Sequence, residues 1–188
     1  METNTNPKGQ INRGSKLGEI IYNLSKQSDV LNIVEIGTWL GLGSTKCILD
    51  GILSKKEKTN VYSLECNKLR HEEAKINLGF IPETFKLIHG TIIEYKELLP
   101  LKGTLNNETL ETWLNDDLIS LKTCPNVFDK LPNNIDLLII DGGEFTGQQE
   151  FDKLWQRCKY IILDDTNAIK HEKTKSFILS KPDIFSII

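Results

Sequence analysis

Apolar positions along the chain follow two alternating patterns. Short continuous runs such as 32–36 and 135–140 are rich in Ile, Leu and Val, which is typical of strands buried on both faces. Longer segments between such runs, for example 15–26, space their apolar residues three and four positions apart and predict amphipathic helices. This alternation predicts an α/β domain with a mostly parallel sheet and helices on both faces.

The same patterns give the bounds of each predicted element. Strands are predicted over 32–36, 60–64, 85–88, 135–140 and 160–163, with a last edge strand over 183–188. Helices are predicted over 15–26, 45–53, 68–78, 108–121, 148–158 and 170–179. We expect one domain over 15–188, with a flexible tail over 1–14 and a helical insert around 94–134. In the insert, Trp113 and the leucines around it suit either the core or a lid over an acceptor.

Composition and charge narrow the class of protein. Of the 188 residues, 39% are hydrophobic and 26% are charged, as in globular domains. The net charge of −3 gives no sign of a surface for nucleic acid or membrane. The four cysteines lack zinc-ligand spacing, and residues 1–10 lack the features of a signal peptide. We therefore expect a cytoplasmic protein with reduced cysteines and no nucleic-acid or membrane partner.

Ligands of a parallel sheet bind beyond the carboxyl ends of its strands, so the residues there are the candidates for chemistry. The positions at or just after the predicted strand ends are Gly37, Glu65, Thr91, Asp141 and Asp164. We expect these residues to lie along one edge of the sheet.

A glycine-rich turn follows the first predicted strand. Gly37, Gly41 and Gly43 are spaced Gly-x-x-x-Gly-x-Gly, and Glu35 stands two residues before the first of them. Glycines let a backbone turn sharply and approach a ligand, and the next helix points its N-terminus at that ligand. The spacing differs from the Gly-x-Gly-x-x-Gly fingerprint of dinucleotide-binding proteins. An ordinary glycine-rich turn between strand and helix is the alternative.

This segment resembles the first motif of class I S-adenosylmethionine-dependent methyltransferases. The resemblance implies a Rossmann-like, doubly wound fold in which the loop surrounds the amino-acid end of the cofactor and the acid holds the cofactor's ammonium. It implies cofactor contacts at Glu35, Gly37, Thr38, Gly41, Gly43 and Ser44. The family's sheet normally closes with two further strands, and only 183–188 remains for them. The resemblance therefore leaves undecided whether the sheet is truncated at its C-terminal edge.

An acidic residue ends the second predicted strand. A carboxylate at Glu65, about twenty residues beyond the glycine turn, can accept hydrogen bonds from both ribose hydroxyls of a nucleoside. The resemblance extends to this acid and implies adenosine contacts at Cys66, Asn67 and Thr91. Many members have an acid where this chain has Thr91. A strand-end carboxylate in solvent is the alternative for Glu65.

The fourth and fifth predicted strands both end in acidic segments, which should gather Asp141, Glu144, Asp164 and Asp165 in one cleft. Acid clusters usually persist because a cation, a cationic ligand or a shared proton neutralises them. Carboxylate oxygens and waters are ligands that Mg²⁺ prefers. Lys170 lies just beyond, and it suits either an anionic acceptor or a solvated helix start.

The acidic segments resemble those of sugar and small-molecule O-methyltransferases of the methyltransferase-24 type that use a divalent metal. The resemblance implies Mg²⁺ ligands at Asp141, Asp164 and Asp165. It implies catalytic roles for Asp141, Glu144 and Asp164, with Asp141 also near the cofactor and Glu144 as general base where many members have His. Direct contact of Asp141 and Asp164 with cofactor and acceptor, without metal, remains the alternative.

These observations predict S-adenosylmethionine-dependent methyl transfer to a small acceptor, such as a hydroxyl of a sugar or metabolite. A likeness to methyltransferases encoded beside cell-surface polysaccharide genes hints at polysaccharide biosynthesis. Two alternatives remain: a non-catalytic module that binds a nucleoside or a partner, and an NAD-dependent oxidoreductase, which the glycine spacing disfavours. The sequence does not decide whether the protein forms a homo-oligomer.

Overall fold

A computed structural model describes residues 11–187 and confirms the α/β class. Five strands form one sheet in which every pairing is parallel, in the order β3-β2-β1-β4-β5. The strands are β1 (Asn32–Ile36), β2 (Asn60–Glu65), β3 (Phe85–His89), β4 (Ile135–Ile140) and β5 (Cys158–Leu163). Each predicted interior strand is therefore present, with bounds that differ by at most two residues at either end.

Helices surround this sheet. They are α1 (Lys16–Ser25), α2 (Ser44–Leu53), α3 (Lys68–Leu78), α4 (Tyr95–Leu98), α5 (Glu108–Thr123), α6 (Gly147–Leu154) and α7 (Glu172–Leu179). Side chains cap several of them: Ser15 accepts a hydrogen bond from the Gly18 amide, and Asn67 accepts from the amides of Leu69 and Arg70. The predicted helix over 148–158 is too long, because α6 gives way to a 3₁₀ turn and Cys158 already begins β5.

Strand register brings the carboxyl ends together. Ile36, at the end of β1, pairs with Leu64 on one side and with Ile140 on the other. The Asp141 amide donates to the Ile36 carbonyl at 2.8 Å, so β4 leaves the sheet beside the end of β1. The residues after β1, β2 and β4 therefore share one edge, as the sequence predicts.

Apolar side chains of each strand point alternately into two cores. Along β4, Leu137 and Ile139 join a core with α1 and α2, whereas Leu138 and Ile140 join a second core with α5 and α6. Both faces of the sheet are thus covered, which explains why its strands are continuous apolar runs instead of alternating ones.

The insert contributes to the second core through α5. Leu114, Leu118 and Leu121 are buried along one face of that helix, so the leucine stripe is core. Trp113 on the same helix is 48% exposed, so it does not belong to that core.

Both ends of the chain depart from the sequence prediction. The last edge strand is wrong over 183–187, where the chain makes turns instead. Phe185 packs its ring 5.5 to 6.2 Å from those of Phe151, Trp155 and Phe177, and this packing replaces strand pairing. Of the expected tail, residues 1–10 lie outside the described residues, as does Ile188, while Ile11 is buried in the core. No helix of the described part is long and apolar enough to cross a membrane.

Candidate functional site

One cavity of about 690 Å³ opens at the carboxyl edge of the sheet, with α5 as one of its walls. This volume lies in the range of small-molecule sites. Residues predicted from the sequence that line it are Gly37, Glu65, Cys66, Thr91, Asp141 and Glu144. The structure thus brings the start of the glycine turn, the acid after β2 and the first acidic segment to one space.

The turn at Gly37 requires glycine on two counts. Its φ of +99° lies in the region that side chains disfavour, and a Cβ there would be 2.1 Å from the Asp141 carbonyl oxygen. The amides of Gly37 and Thr38 both donate to the Leu64 carbonyl, at 3.0 and 3.1 Å. The backbone therefore crosses tightly over the ends of the strands and leaves the cavity open above it.

The later part of the turn is not on the cavity wall. Gly41 donates its amide to the Thr38 carbonyl at 2.9 Å, and a Cβ there would lie 2.9 Å from Leu78 Cγ, so it packs against α3. Gly43 caps α2, and the Ser44 that follows it is buried. These residues shape the turn, and the structure does not bring them to the cavity surface.

Glu35 is completely buried beneath the turn. Its Oε2 accepts from Thr45 Oγ1 at 2.8 Å and from Ser63 Oγ at 2.5 Å, and Ser63 Oγ also shares a 2.6 Å hydrogen bond with Thr38 Oγ1. Its Oε1 has no hydrogen-bond partner among the described residues. Burial raises the pKa of the Glu35 carboxyl. This carboxyl supports the turn from below, and one of its oxygens can still accept a donor.

Glu65 is held by backbone amides at the rim of the cavity. Its Oε2 accepts from the Trp39 amide at 2.7 Å, and its Oε1 accepts from the Asn67 amide at 2.8 Å. Burial raises the pKa of the Glu65 carboxyl, and these two hydrogen bonds oppose that rise. Each oxygen retains capacity for a further donor. The carboxylate is therefore fixed in place and still able to bind a ligand.

Two lining residues on this side, Trp39 and Arg70, were missed by sequence reasoning, whereas Asn67 was expected there because it follows Cys66. Trp39 has a φ of +49°, unusual for a bulky residue, and the Arg70 guanidinium lies 5.5 Å from the centre of its ring. Asn67 caps α3. Trp39 and Arg70 had no usable signal in the sequence, because their contact joins the turn after β1 to α3.

A buried lysine lies between the two acidic segments. Lys170, on the turn after β5, is 5% exposed and places its Nζ 3.2 Å from Asp141 Oδ1 and 3.6 Å from Asp165 Oδ2. Burial lowers the pKa of Lys170, but the carboxylates of Asp141, Asp164 and Asp165 outweigh it and raise the pKa. Burial raises the pKa of Asp141, and Lys170 opposes that rise. Lys170 is therefore neither a solvated helix start nor free to bind an anionic acceptor.

The predicted Mg²⁺ site at Asp141, Asp164 and Asp165 does not fit this arrangement. The Lys170 ammonium occupies the space between Asp141 and Asp165 in which a metal ion would be needed. Within residues 11–187, no three His, Cys, Asp or Glu side chains are grouped so as to hold a metal ion. Neither Asp164 nor Asp165 is among the residues that line the cavity. The physical reason is that the lysine neutralises the acids, one of the routes by which an acid cluster persists.

Carboxyl groups from two helices also line the cavity, Asp116 and Asp117 on α5 and Glu150 on α6. Asp117 on α5 accepts from the Phe145 amide at 3.4 Å, and burial raises its pKa to about 6. Glu150 on α6 is 3% exposed, and burial raises its pKa to about 7. Sequence reasoning missed all three residues. Glu150 had a signal, because it shares the buried helical face of Gly147, Phe151 and Leu154, where a charged residue is unexpected.

A comparison with solved structures finds an O-methyltransferase from Bacillus cereus, determined in complex with SAH. The two chains are 16% identical, the match covers 88% of this chain and 70% of the other, and the TM-score is 0.51. No protein-family model and no curated protein sequence matches the chain. At this identity the likeness shows the fold alone, and it confirms the predicted Rossmann-like α/β class, as seen in a methyltransferase.

Proposed function

We propose that this protein transfers the methyl group of S-adenosylmethionine to a small acceptor, at a hydroxyl of a sugar or metabolite. One observation carries the proposal: the turn at Gly37, the Glu65 carboxylate and Asp141 open onto the same cavity. The methyltransferase that shares the fold binds SAH, the demethylated product of this cofactor, which agrees with the proposal.

The residues present suit an adenosyl ligand. Glu65 offers unused lone pairs to ribose hydroxyls, and its amide hydrogen bonds already fix its orientation. Gly37 leaves no Cβ between the backbone and the ligand. Glu35 is buried beneath the turn and does not line the cavity, so its unpaired oxygen would reach the cofactor's ammonium only through a bridging water. When bound, S-adenosylmethionine supplies an electrophilic methyl group on a positively charged sulfur.

The acceptor side of the proposal rests on the segment after β4. Glu144 lines the cavity, and burial raises the pKa of its carboxyl, which suits a general base that takes the proton of an acceptor hydroxyl. Asp141 lies beside it, with its charge and position set by Lys170. Asp164 follows β5 and does not line the cavity, so we assign it a role through Asp141, whose pKa it raises. Holding acceptor and methyl group in line would provide much of the rate.

Isothermal titration tests the cofactor assignment with S-adenosylmethionine, SAH and NAD as separate ligands. We expect binding of the first two and none of NAD. Glu65→Gln should weaken SAH binding about ten-fold or more, because a ribose hydroxyl loses a charged acceptor. Glu57→Gln is the matched control, because Glu57 is exposed on the segment before β2, and it should bind SAH like the wild type.

Two outcomes would contradict the proposal. If neither S-adenosylmethionine nor SAH binds, the cavity is not an adenosyl site. If Glu65→Gln binds SAH as tightly as Glu57→Gln, the ribose role of Glu65 is wrong. Binding of NAD in preference to SAH would favour an oxidoreductase instead.

A further inference from the structure

Carboxyl groups from three separate elements surround the part of the cavity beside Gly142 and Gly143. Asp141 and Glu144 flank these glycines, and α5 and α6 supply the remaining acids from either side. The lining carboxyl groups at this end are Asp116, Asp117, Asp141, Glu144 and Glu150. Among the described lining residues Arg70 is the one Lys or Arg, and it lies on the β2 side over Trp39. This end of the cavity is therefore strongly acidic.

Glu150 is the group at this end that most needs a partner. Its side chain is almost fully buried, and its Oε2 has no hydrogen-bond partner among the described residues. Both of its carboxyl oxygens would lie 3.3 Å from a Cβ on Gly142, so the carboxyl faces the lining backbone directly. The Thr146 hydroxyl reaches this carboxyl, but an oxygen that stays buried without a donor is costly, and it needs a partner such as a ligand cation or an ordered water.

Asp117 faces the same backbone from α5. A Cβ on Gly143 would lie 2.7 Å from its Oδ2 and 2.8 Å from its Oδ1, so the absence of a side chain there lets the carboxyl approach. The hydrogen bond that Asp117 accepts from the Phe145 amide is long, at 3.4 Å. Both carboxyls therefore have acceptor capacity that the protein itself leaves unused.

The nearby lysine does not meet this need. Lys170 is engaged with Asp141 and Asp165, and it is not among the lining residues. Burial raises the pKa of Asp117 to about 6 and that of Glu150 to about 7, which shows how poorly their charges are compensated. A cation brought by a ligand would restore both charges and satisfy the free oxygens.

We propose that this end of the cavity binds a protonated amine of the acceptor, through Glu150 and Asp117 with Glu144 nearby. The inference rests on the proposed function and specifies its substrate class: a small hydroxylated molecule that carries a primary or secondary amine. A protonated nitrogen has no lone pair, so the ammonium is the recognition group and a hydroxyl elsewhere on the molecule receives the methyl.

The test uses the full chain saturated with SAH, so that the cofactor's own ammonium cannot compete. The affinity of glucosamine is compared with that of glucose, and the affinity of ethanolamine with that of ethylene glycol. Within each pair, the one difference is an amine in place of a hydroxyl. We expect the amine of at least one pair to bind about ten-fold or more tightly than its neutral partner. Glu150→Gln and Asp117→Asn should each remove most of that difference. Asp152→Asn, an exposed acid on α6, should keep it.

SAH affinity separates the ways in which the idea can fail. If SAH binds and neither amine binds better than its neutral partner, the amine site is wrong and the proposed function stands. If Glu150→Gln folds and loses SAH affinity instead, the acidic end serves the cofactor, and the inference is overturned. If SAH does not bind the wild type at all, the proposed function itself fails.

Discussion

At the scale of single residues, the carboxyl groups of this site differ in how their charge is compensated. Glu65 accepts two backbone amides, and Asp141 contacts a buried lysine. Glu150 on α6 has an oxygen with no donor. The same carboxyl group therefore has three different environments: Glu65 is a fixed acceptor, Asp141 is paired with a cation, and Glu150 is a buried acid without a paired cation.

Glu150 should make the stability of the ligand-free protein depend on pH. Burial raises its pKa from 4.5 to about 7, with Asp117 adding to the rise while the Thr146 hydroxyl and Lys170 oppose it. The folded state therefore binds the proton more tightly than the unfolded chain. The stability this proton provides is complete below pH 4.5 and is lost as pH rises through about 7.

Glu150→Gln removes this titration. We expect the unfolding free energy of the variant, relative to wild type, to increase by about 1–3 kcal/mol between pH 5 and pH 8. Urea unfolding at the two pH values measures the change. Asp152→Asn on the exposed face of α6 should show no comparable increase. A relative stability of Glu150→Gln that is flat from pH 5 to pH 8 would mean that Glu150 is not a buried, uncompensated acid.

At the scale of elements, sequence patterns located the strands well because a strand buried on both faces is a continuous apolar run. The run 135–140 coincides with β4. Of the residues expected at the strand ends, Gly37, Glu65 and Asp141 line the cavity, whereas Asp164 does not. These are local signals, in which the residue and its structural role lie within a few positions of each other.

Contacts between distant parts of the chain could not be predicted in this way. Lys170 pairs with Asp141 across 29 positions, and nothing in either segment distinguishes that pair from a lysine in solvent beside a metal-binding acid. The role of α5 as a cavity wall is of the same kind: its leucines predict a buried face, but Asp117 acquires its role only after the helix packs near Gly143. The Lys170–Asp141 contact, which local sequence cannot reveal, is why the predicted magnesium site does not fit the structure.

The segment after α7 shows how a strand-like pattern can pack differently. Its closely spaced apolar residues favour a strand, yet Phe185 packs at tilted and edge-on angles within a group of four aromatic rings. We expect Phe185→Ala to lower the unfolding free energy by about 1–2 kcal/mol. This is less than the cost of removing a fully buried phenylalanine ring, because Phe185 is only half-buried. Ile187→Ala is the control, because Ile187 is 70% exposed and should change stability by less than about 0.5 kcal/mol. Equal effects of the two substitutions in chemical denaturation would argue against the aromatic packing.

At the scale of the whole molecule, the cavity depends on distant parts of the chain at once. Its walls come from the turn after β1, the ends of β2 and β4, and two helices that belong to the second core. A ligand that fills it therefore binds the folded domain and not the unfolded chain. Binding should stabilise the domain as a unit, because the free energy of binding adds to that of folding.

SAH should raise the unfolding free energy by about 2.7 kcal/mol when present at one hundred times its dissociation constant. Since the Lys170 ammonium already neutralises Asp141 and Asp165, we expect the same stabilisation in EDTA and in millimolar Mg²⁺. Thermal unfolding with and without SAH, in each of the two buffers, measures this. Lys170→Met serves as the contrasting variant, because it removes the internal cation and leaves the acids unpaired, so its ligand-free stability should fall in EDTA. If the stabilisation of wild type by SAH disappears in EDTA and returns with Mg²⁺, a metal ion and not Lys170 completes the site.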